Sequence, residues 1–176
     1  MAGAWQSLVN RPSTGISTMV LLTDGSVLCR CDDITDAGPR KWARLIPSAA
    51  GTYVDGVWSV VAPSRNARRY YASAVLANGT VLVAGGELSD GGADLNAAEL
   101  YDPKTDAWKP LPTPSGWTAI GDAPCCVLPD GRVLLGSILT TSTAVYDPQS
   151  NSWSPAGNKD DRSSEETWTL LPDGTV

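Results

Sequence analysis

The side chains of this 176-residue chain that could do chemistry are few and mostly acidic. Tyr70 follows Arg68 and Arg69, Asp122 opens the run Asp-Ala-Pro-Cys-Cys, and Glu165 and Glu166 lie shortly after Asp161. Carboxylates suit a hard cation such as Ca²⁺ or the hydroxyls of a polyol. Arginines beside Tyr70 and Tyr71 suit a bound carboxylate or an aromatic face. Each group also has a plainer use: carboxylates cap strand starts or pair with Arg68, Arg69 or Arg162, and arginines anchor neighbouring elements. The densest acidic run, Asp32, Asp33 and Asp36, precedes Arg40, Lys41 and Arg44. It lacks the Asp-x-Asp-x-Asp-Gly pattern with a distal Glu and reads as a solvated loop.

The chain has no histidine. That removes His-ligated zinc, copper or haem, Ser-His and Cys-His nucleophilic pairs, and the ordinary general base near pH 7. Catalysis would fall to carboxylates, Tyr, Cys, Lys or Arg, and no assembled catalytic set is visible. Cys29 and Cys31, two apart in a strand-like run, are expected on one face, whereas the adjacent Cys125 and Cys126 point to opposite faces. Neither spacing is that of a Cys-x-x-Cys motif, so free thiols acting as small apolar residues are expected, with no metal and no cofactor.

Thirteen basic residues against nineteen acidic ones give a net charge of −6, which argues against binding a nucleic-acid backbone. At 42% hydrophobic and 18% charged, the chain is not of disordered composition. Phe is absent while Trp occurs seven times, so an aromatic core must be built from Trp and Tyr. No apolar run approaches the length of a membrane-spanning helix, and the start Met1-Ala-Gly-Ala-Trp5 lacks the basic and apolar regions of a secretory signal. Neither membrane insertion nor a compartment is indicated.

What must position these residues is an internal repeat. Four segments read apolar run, Asp-Gly or Asn-Gly, apolar run, with turn glycines Gly25, Gly79, Gly131 and Gly174 spaced 54, 52 and 43 apart. Such a dipeptide between apolar runs marks a hairpin, because Gly accepts the positive φ the turn demands. In phase with it, Tyr101-Asp-Pro precedes Trp108 and Tyr146-Asp-Pro precedes Trp153, seven residues from Tyr to Trp in both. The first unit is expected to shorten this hairpin to Tyr53-Val-Asp-Gly-Val-Trp58. Trp5, Trp58, Trp108 and Trp153 recur at 53, 50 and 45. Ala67, Tyr70, Tyr71, Ala74 and Val75 fall at helical spacing, but the counterpart run carries Pro124 mid-run, which a helix interior rejects, so the repeat decides for a strand.

A four-stranded unit of this length in tandem is the blade of a β-propeller. The period, the Gly85-Gly86 pair after a second strand and the Tyr-to-Trp pattern resemble the Kelch repeat from Trp5 to Val176, with Cys31-Asp32 and Gly136-Ser137 departing from the Gly pair. The expected fold is all-β: 4–10 as the last strand of one blade, 17–61, 70–111 and 121–155 as three blades, and 165–176 as the start of another. Kelch propellers close with six or seven blades, so about three and a half imply either a longer protein or copies that associate to close a ring.

The segment from Ala67 through Gly86 further resembles the galactose oxidase branch. The resemblance implies that Tyr70 matches a copper-ligating radical tyrosine cross-linked to a cysteine of the preceding blade. The counterpart positions Ile16 to Thr18 hold no Cys, the shielding tryptophan corresponds to about Leu88, and the copper histidines come from later blades. Tyr70 is therefore read as the ordinary repeat aromatic.

Nine residues before each turn glycine stand Ile16, Tyr70, Asp122 and Glu165, expected at matching heights by the mouth of the central channel. With Arg68 and Arg69 they form the candidate binding set. The leading expectation is a non-catalytic segment binding protein or carbohydrate. The alternatives are a piece of a galactose-oxidase-like copper enzyme and a structural half-ring that self-associates.

Overall fold

The computed structural model describes residues 3–32, 40–87, 93–162 and 165–176. Asp33, Asp36 and Leu88 lie outside the described residues. Twelve strands form among the described residues, and no helix does. β1 (Gly15–Leu21), β2 (Val27–Asp32), β3 (Trp42–Ile46) and β4 (Val57–Val61) form the first antiparallel sheet. β5 (Ala72–Val75), β6 (Val81–Ala84), β7 (Ala98–Asp102) and β8 (Ala107–Leu111) form the second. β9 (Cys125–Val127), β10 (Val133–Gly136), β11 (Ser142–Asp147) and β12 (Ser152–Asn158) form the third. Residues 72–75 are extended, as the repeat rather than the helical spacing requires.

The repeat becomes structure through the same few bonds in each blade. At the turns, Leu22, Leu76, Leu128 and Leu171 accept from Gly25, Gly79, Gly131 and Gly174, and donate to the carbonyls of Ser26, Thr80, Arg132 and Thr175. The loop is thus three residues long, closed by a glycine at φ +81° to +87°. Within it Asp24, Asn78, Asp130 and Asp173 each accept the N–H two residues on, at 3.0 Å. The fourth copy makes the complete turn although residues 165–176 are not paired as strands. Residues 4–10 are not paired as a strand either, and Trp5 is fully exposed.

The blades stack by their faces around a common axis, with β1 beside β5 and β5 beside β9. Leu22, Leu28, Trp42, Tyr71, Val81, Val83 and Tyr101 fill the space between the first two blades. Leu76, Leu82, Ile120, Val133, Leu135, Ile138 and Tyr146 fill that between the second and third. Aromatic rings replace the missing Phe: Trp42 lies 5.7 Å from Tyr71 and 4.9 Å from Trp108, centroid to centroid.

A tryptophan closes each blade onto the chain that leads into it. The indole N–H of Trp58 donates to the Asn10 carbonyl at 3.1 Å, that of Trp108 to Ala62 at 2.8 Å, and that of Trp153 to Pro112 at 2.8 Å. Trp108→Phe keeps a ring there but orphans the Ala62 carbonyl. It is expected to cost about 1 kcal/mol in urea unfolding, and no measurable loss would remove this bond from the account.

One sequence expectation needs correction. Trp108 pairs across its hairpin with Tyr101 and Trp153 with Tyr146, but Trp58 faces Leu45, not Tyr53. The first blade lengthens this hairpin, with residues 47–56 between β3 and β4. Tyr53 folds back so that its hydroxyl donates to the Gly25 carbonyl at 2.7 Å.

Candidate functional site

Three of the four positions nine residues before a turn glycine converge. Tyr70, Asp122 and Glu165, with Tyr71, Glu87 and Glu166, line an open cavity of about 600 Å³ where the inner strands begin. Ile16 does not line it. Tyr70 is 63% exposed and sits at φ +51°, a left-handed conformation that a bulky residue adopts only under constraint. The constraint is next door: Arg69 is bridged to Glu87, donating its N–H to the Glu87 carbonyl at 3.1 Å and accepting back at 2.8 Å. Tyr71 then turns inward, where burial pushes its phenol up to about 12. Glu165 repeats the left-handed conformation at φ +56°.

The electrostatics of this mouth are acidic. Glu87 is held above the usual carboxylate range, first by burial and then by Asp122, Asp94 and Glu165. Asp122 is raised as well, by burial and then by Glu165 and Asp94. Raised carboxylates bind protons more readily folded than unfolded, so their repulsion weakens the fold above their native pKa values and is relieved as pH falls through them. The turn carboxylates behave oppositely. Asp102 and Asp147 are lowered, chiefly by the backbone N–H groups of Lys104 and Gln149, so their support holds above the ordinary Asp range and fades below it. Asp122→Asn is therefore expected to raise the melting temperature at pH 7 and to raise it less at pH 4. An equal change at both pH values would contradict the repulsion.

The two arginines of the expected set are placed elsewhere. Arg68 does not reach the mouth. It is wholly buried, ion-paired to Glu99, and donates to the Gly85 carbonyl at 2.7 Å and the Ala97 carbonyl at 3.3 Å. Arg69 is mostly buried and reaches Asp32 of the first blade at 3.7 Å, an ion pair between blades. Glu166 is held by Lys159 at 2.6 Å.

Glu99 is the residue that sequence reasoning missed. Its carboxylate accepts the N–H of Arg65 at 2.8 Å and of Asn66 at 3.2 Å, besides the Asn66 amide at 3.0 Å and Arg68. The available signal was a charged residue in mid-strand where the other two units carry Ala43 and Ala144. The four cysteines are free. Burial pushes the Cys29 thiol up to about 12 and Cys125 up to about 11, so both stay protonated and inert at neutral pH.

The residues do not fit the copper site of the oxidase resemblance. The chain has no histidine, and Ile16 stands in the cysteine's place, paired across the first hairpin with Cys31. Among the described residues no group of three or more His, Cys, Asp or Glu side chains is arranged to hold a metal ion. No helix among them is long and apolar enough to cross a membrane.

Comparison with known proteins agrees with this geometry. Residues 68–115 match the family model of the Kelch motif. A putative F-box/kelch-repeat protein of Arabidopsis thaliana is 30% identical over 92 residues, which is 52% of this chain and 24% of that protein. The F-box/kelch-repeat protein SKIP20 of the same plant is 32% identical over 103 residues, 54% of this chain and 24% of that one. The chain thus spans about a quarter of the length of these curated relatives. Among solved structures, a fungal alcohol oxidase of the AA5 family in complex with copper superposes with a TM-score of 0.56 at 20% identity, covering 83% of this chain and 30% of its own. YjhT superposes with a TM-score of 0.59 at 17% identity, covering 77% and 48%. At these identities the likeness shows the fold alone. The motif match falls on the middle blade, and the blades on either side repeat it strand for strand: the chain carries about three blades of a Kelch-type β-propeller.

Proposed function

We propose that the chain is a non-catalytic binding module whose acidic mouth, built on Tyr70, Asp122 and Glu165, docks a basic segment of a protein partner. The observation that carries this reading is Tyr70 itself. A large aromatic side chain is held out to solvent, in a strained backbone conformation, beside Glu87 and Asp122, whose pKa values are raised first by burial and then by neighbouring carboxylates. Strain of this kind costs about 1–3 kcal/mol and persists where a side chain is wanted in one place. An exposed aromatic over a charged rim is the usual anchor of a protein interface. The F-box/kelch-repeat relatives support a protein ligand over a carbohydrate one.

Tyr70→Gly separates binding from folding. Glycine relieves the left-handed strain, so the variant is expected to be as stable as the parent or more so. Its affinity for a Lys-Ser repeat peptide, measured by calorimetry, is expected to fall about tenfold. Asp122→Asn combined with Glu165→Gln is expected to weaken the same peptide and to flatten its salt dependence. Unchanged affinity in both variants would remove the mouth from consideration.

A further inference from the structure

The groove between the chain that leads into a blade and its two outer strands is filled in blade 2 and hollow in blade 3. In blade 2 Glu99 occupies it, opposite Pro110, with its charge met by Arg68. In blade 3 Ala144 stands in that place, opposite Pro155. Counted back from the turn glycines, Ile120 replaces Arg68. The acid and its counter-charge are both gone, and a cavity of about 360 Å³ remains, with Ala144 in its wall. Two further changes widen it. The register of β11 on β12 shifts between Ser142 and Ala144, a bulge where β7 and β8 pair without a break. The lead-in from the carbonyl that the tryptophan binds to the turn glycine is also two residues longer than in blade 2, and it turns at Gly116 with φ +79°.

The walls of this cavity are neutral, hydroxylated and aromatic. Among the described residues no ionisable side chain lines it. Trp117 and Trp153 do, each half-buried against the core between blades 2 and 3. Both are held in place, Trp117 by the Asn96 amide, which donates to its carbonyl at 2.7 Å, and Trp153 by its indole bond to Pro112. Ser137 also lines the cavity and is 3% exposed. Its Oγ accepts the N–H groups of Leu139 and Thr140 at 3.1 Å, which leaves its O–H without an acceptor among the described residues. Ser115, Thr118 and Ser154 stand exposed at the rim. Hydroxyls donate and accept at once, and they match a ligand whose own polar groups are hydroxyls. A carboxylate or ammonium entering here would lose its water and meet no counter-charge. Two indoles held by the fold offer apolar surface to the C–H faces of a ring. The volume is at the small end of ligand sites, which run from about 300 to 1,000 Å³.

We propose that the blade 3 cavity binds one ring of a neutral carbohydrate, with its C–H surface against Trp117 and Trp153 and its hydroxyls on Ser137 and Thr118. This site is separate from the mouth and takes an uncharged ligand, so either reading can fail alone.

The probes are the methyl pyranosides of glucose, galactose and mannose, titrated singly into the full ¹⁵N-labelled chain. At least one is expected to give saturable shifts at the amides of Gly116, Thr118 and Ala144 and at the Trp153 indole N–H. The corresponding uronate, with a carboxylate in place of the hydroxymethyl group, is expected to bind about tenfold more weakly. Ala144→Glu places a side chain in the cavity as Glu99 does in blade 2, and is expected to abolish the response while the amides of Tyr71 and Ala123 at the mouth stay put. Should that variant fail to fold, Thr118→Val decides, since it removes one exposed hydroxyl without changing shape, with an expected loss of about fivefold. No saturable shift with any of the three sugars, shifts confined to the mouth, a uronate that binds as tightly, or an undiminished response in folded Ala144→Glu or Thr118→Val would overturn the proposal.

Discussion

Glu99→Ala is expected to destabilise the chain by about 3–5 kcal/mol in urea unfolding. Both members of the Arg68–Glu99 pair are 1% exposed, so truncating the acid leaves a guanidinium buried without its counter-charge. Burial already pulls the Arg68 pKa down and Glu99 pushes it back, which shows how much the cation depends on its partner. The truncation also strands the N–H groups of Arg65 and Asn66, both bonded to the same carboxylate. The pair is nevertheless weak evidence for net stability, because desolvating two charges offsets most of their attraction. Replacing both, Arg68→Met with Glu99→Leu, is therefore expected to cost less than Glu99→Ala alone, with the residual cost coming from the untied lead-in. A single-variant loss below about 1 kcal/mol would mean that water reaches Arg68 and the pair is not buried in solution.

Gly85→Ala is the second large effect, on the order of 3 kcal/mol in thermal unfolding. Gly85 sits at φ +71°, and a Cβ there would overlap the Gly121 carbonyl oxygen and the Ile120 side chain. Both belong to the chain leading into blade 3, which the Gly86 N–H ties to the Gly121 carbonyl at 2.7 Å. The glycine pair thus lets two blades meet backbone to backbone, and a methyl group must push them apart. Gly131→Ala isolates the backbone part of this cost. It too has a positive φ, at +85°, but opens onto empty space, so about 1 kcal/mol is expected. If the two alanines cost the same, the close approach at Gly85 contributes nothing. Because Arg68 donates to the Gly85 carbonyl, Gly85→Ala and Glu99→Ala share a network and should not add.

How much of this was legible in the sequence follows from what each residue answers to. The blades were, because the Asp-Gly turns and the Tyr-to-Trp hairpins are local signals repeated in phase, and the turn at Gly174 forms even where no strand pairs around it. Tyr70, Asp122 and Glu165 share one cavity because equivalent blades put equivalent positions at one height. The positions of the two arginines are not legible, because a basic pair beside tyrosines looks the same in sequence whether it faces water or a buried acid. What sends Arg68 inward is Glu99, thirty-one residues away in β7, and only a break in the repeat at Ala43 and Ala144 marks it. Tyr53 departs for a related reason: a Tyr-to-Trp spacing predicts a short hairpin, but register is set by the pairing of β3 with β4, and the loop between them is free to grow.

The measurement that tests the central claim most directly is photo-cross-linking from the mouth. A benzophenone amino acid replaces Tyr70, whose side chain is exposed, and a second preparation carries it at Ser150, an exposed turn position remote from the mouth. The account predicts a discrete protein adduct from position 70, reduced by Asp122→Asn with Glu165→Gln, and none from position 150. No adduct from position 70, or the same adducts from both positions, would contradict it.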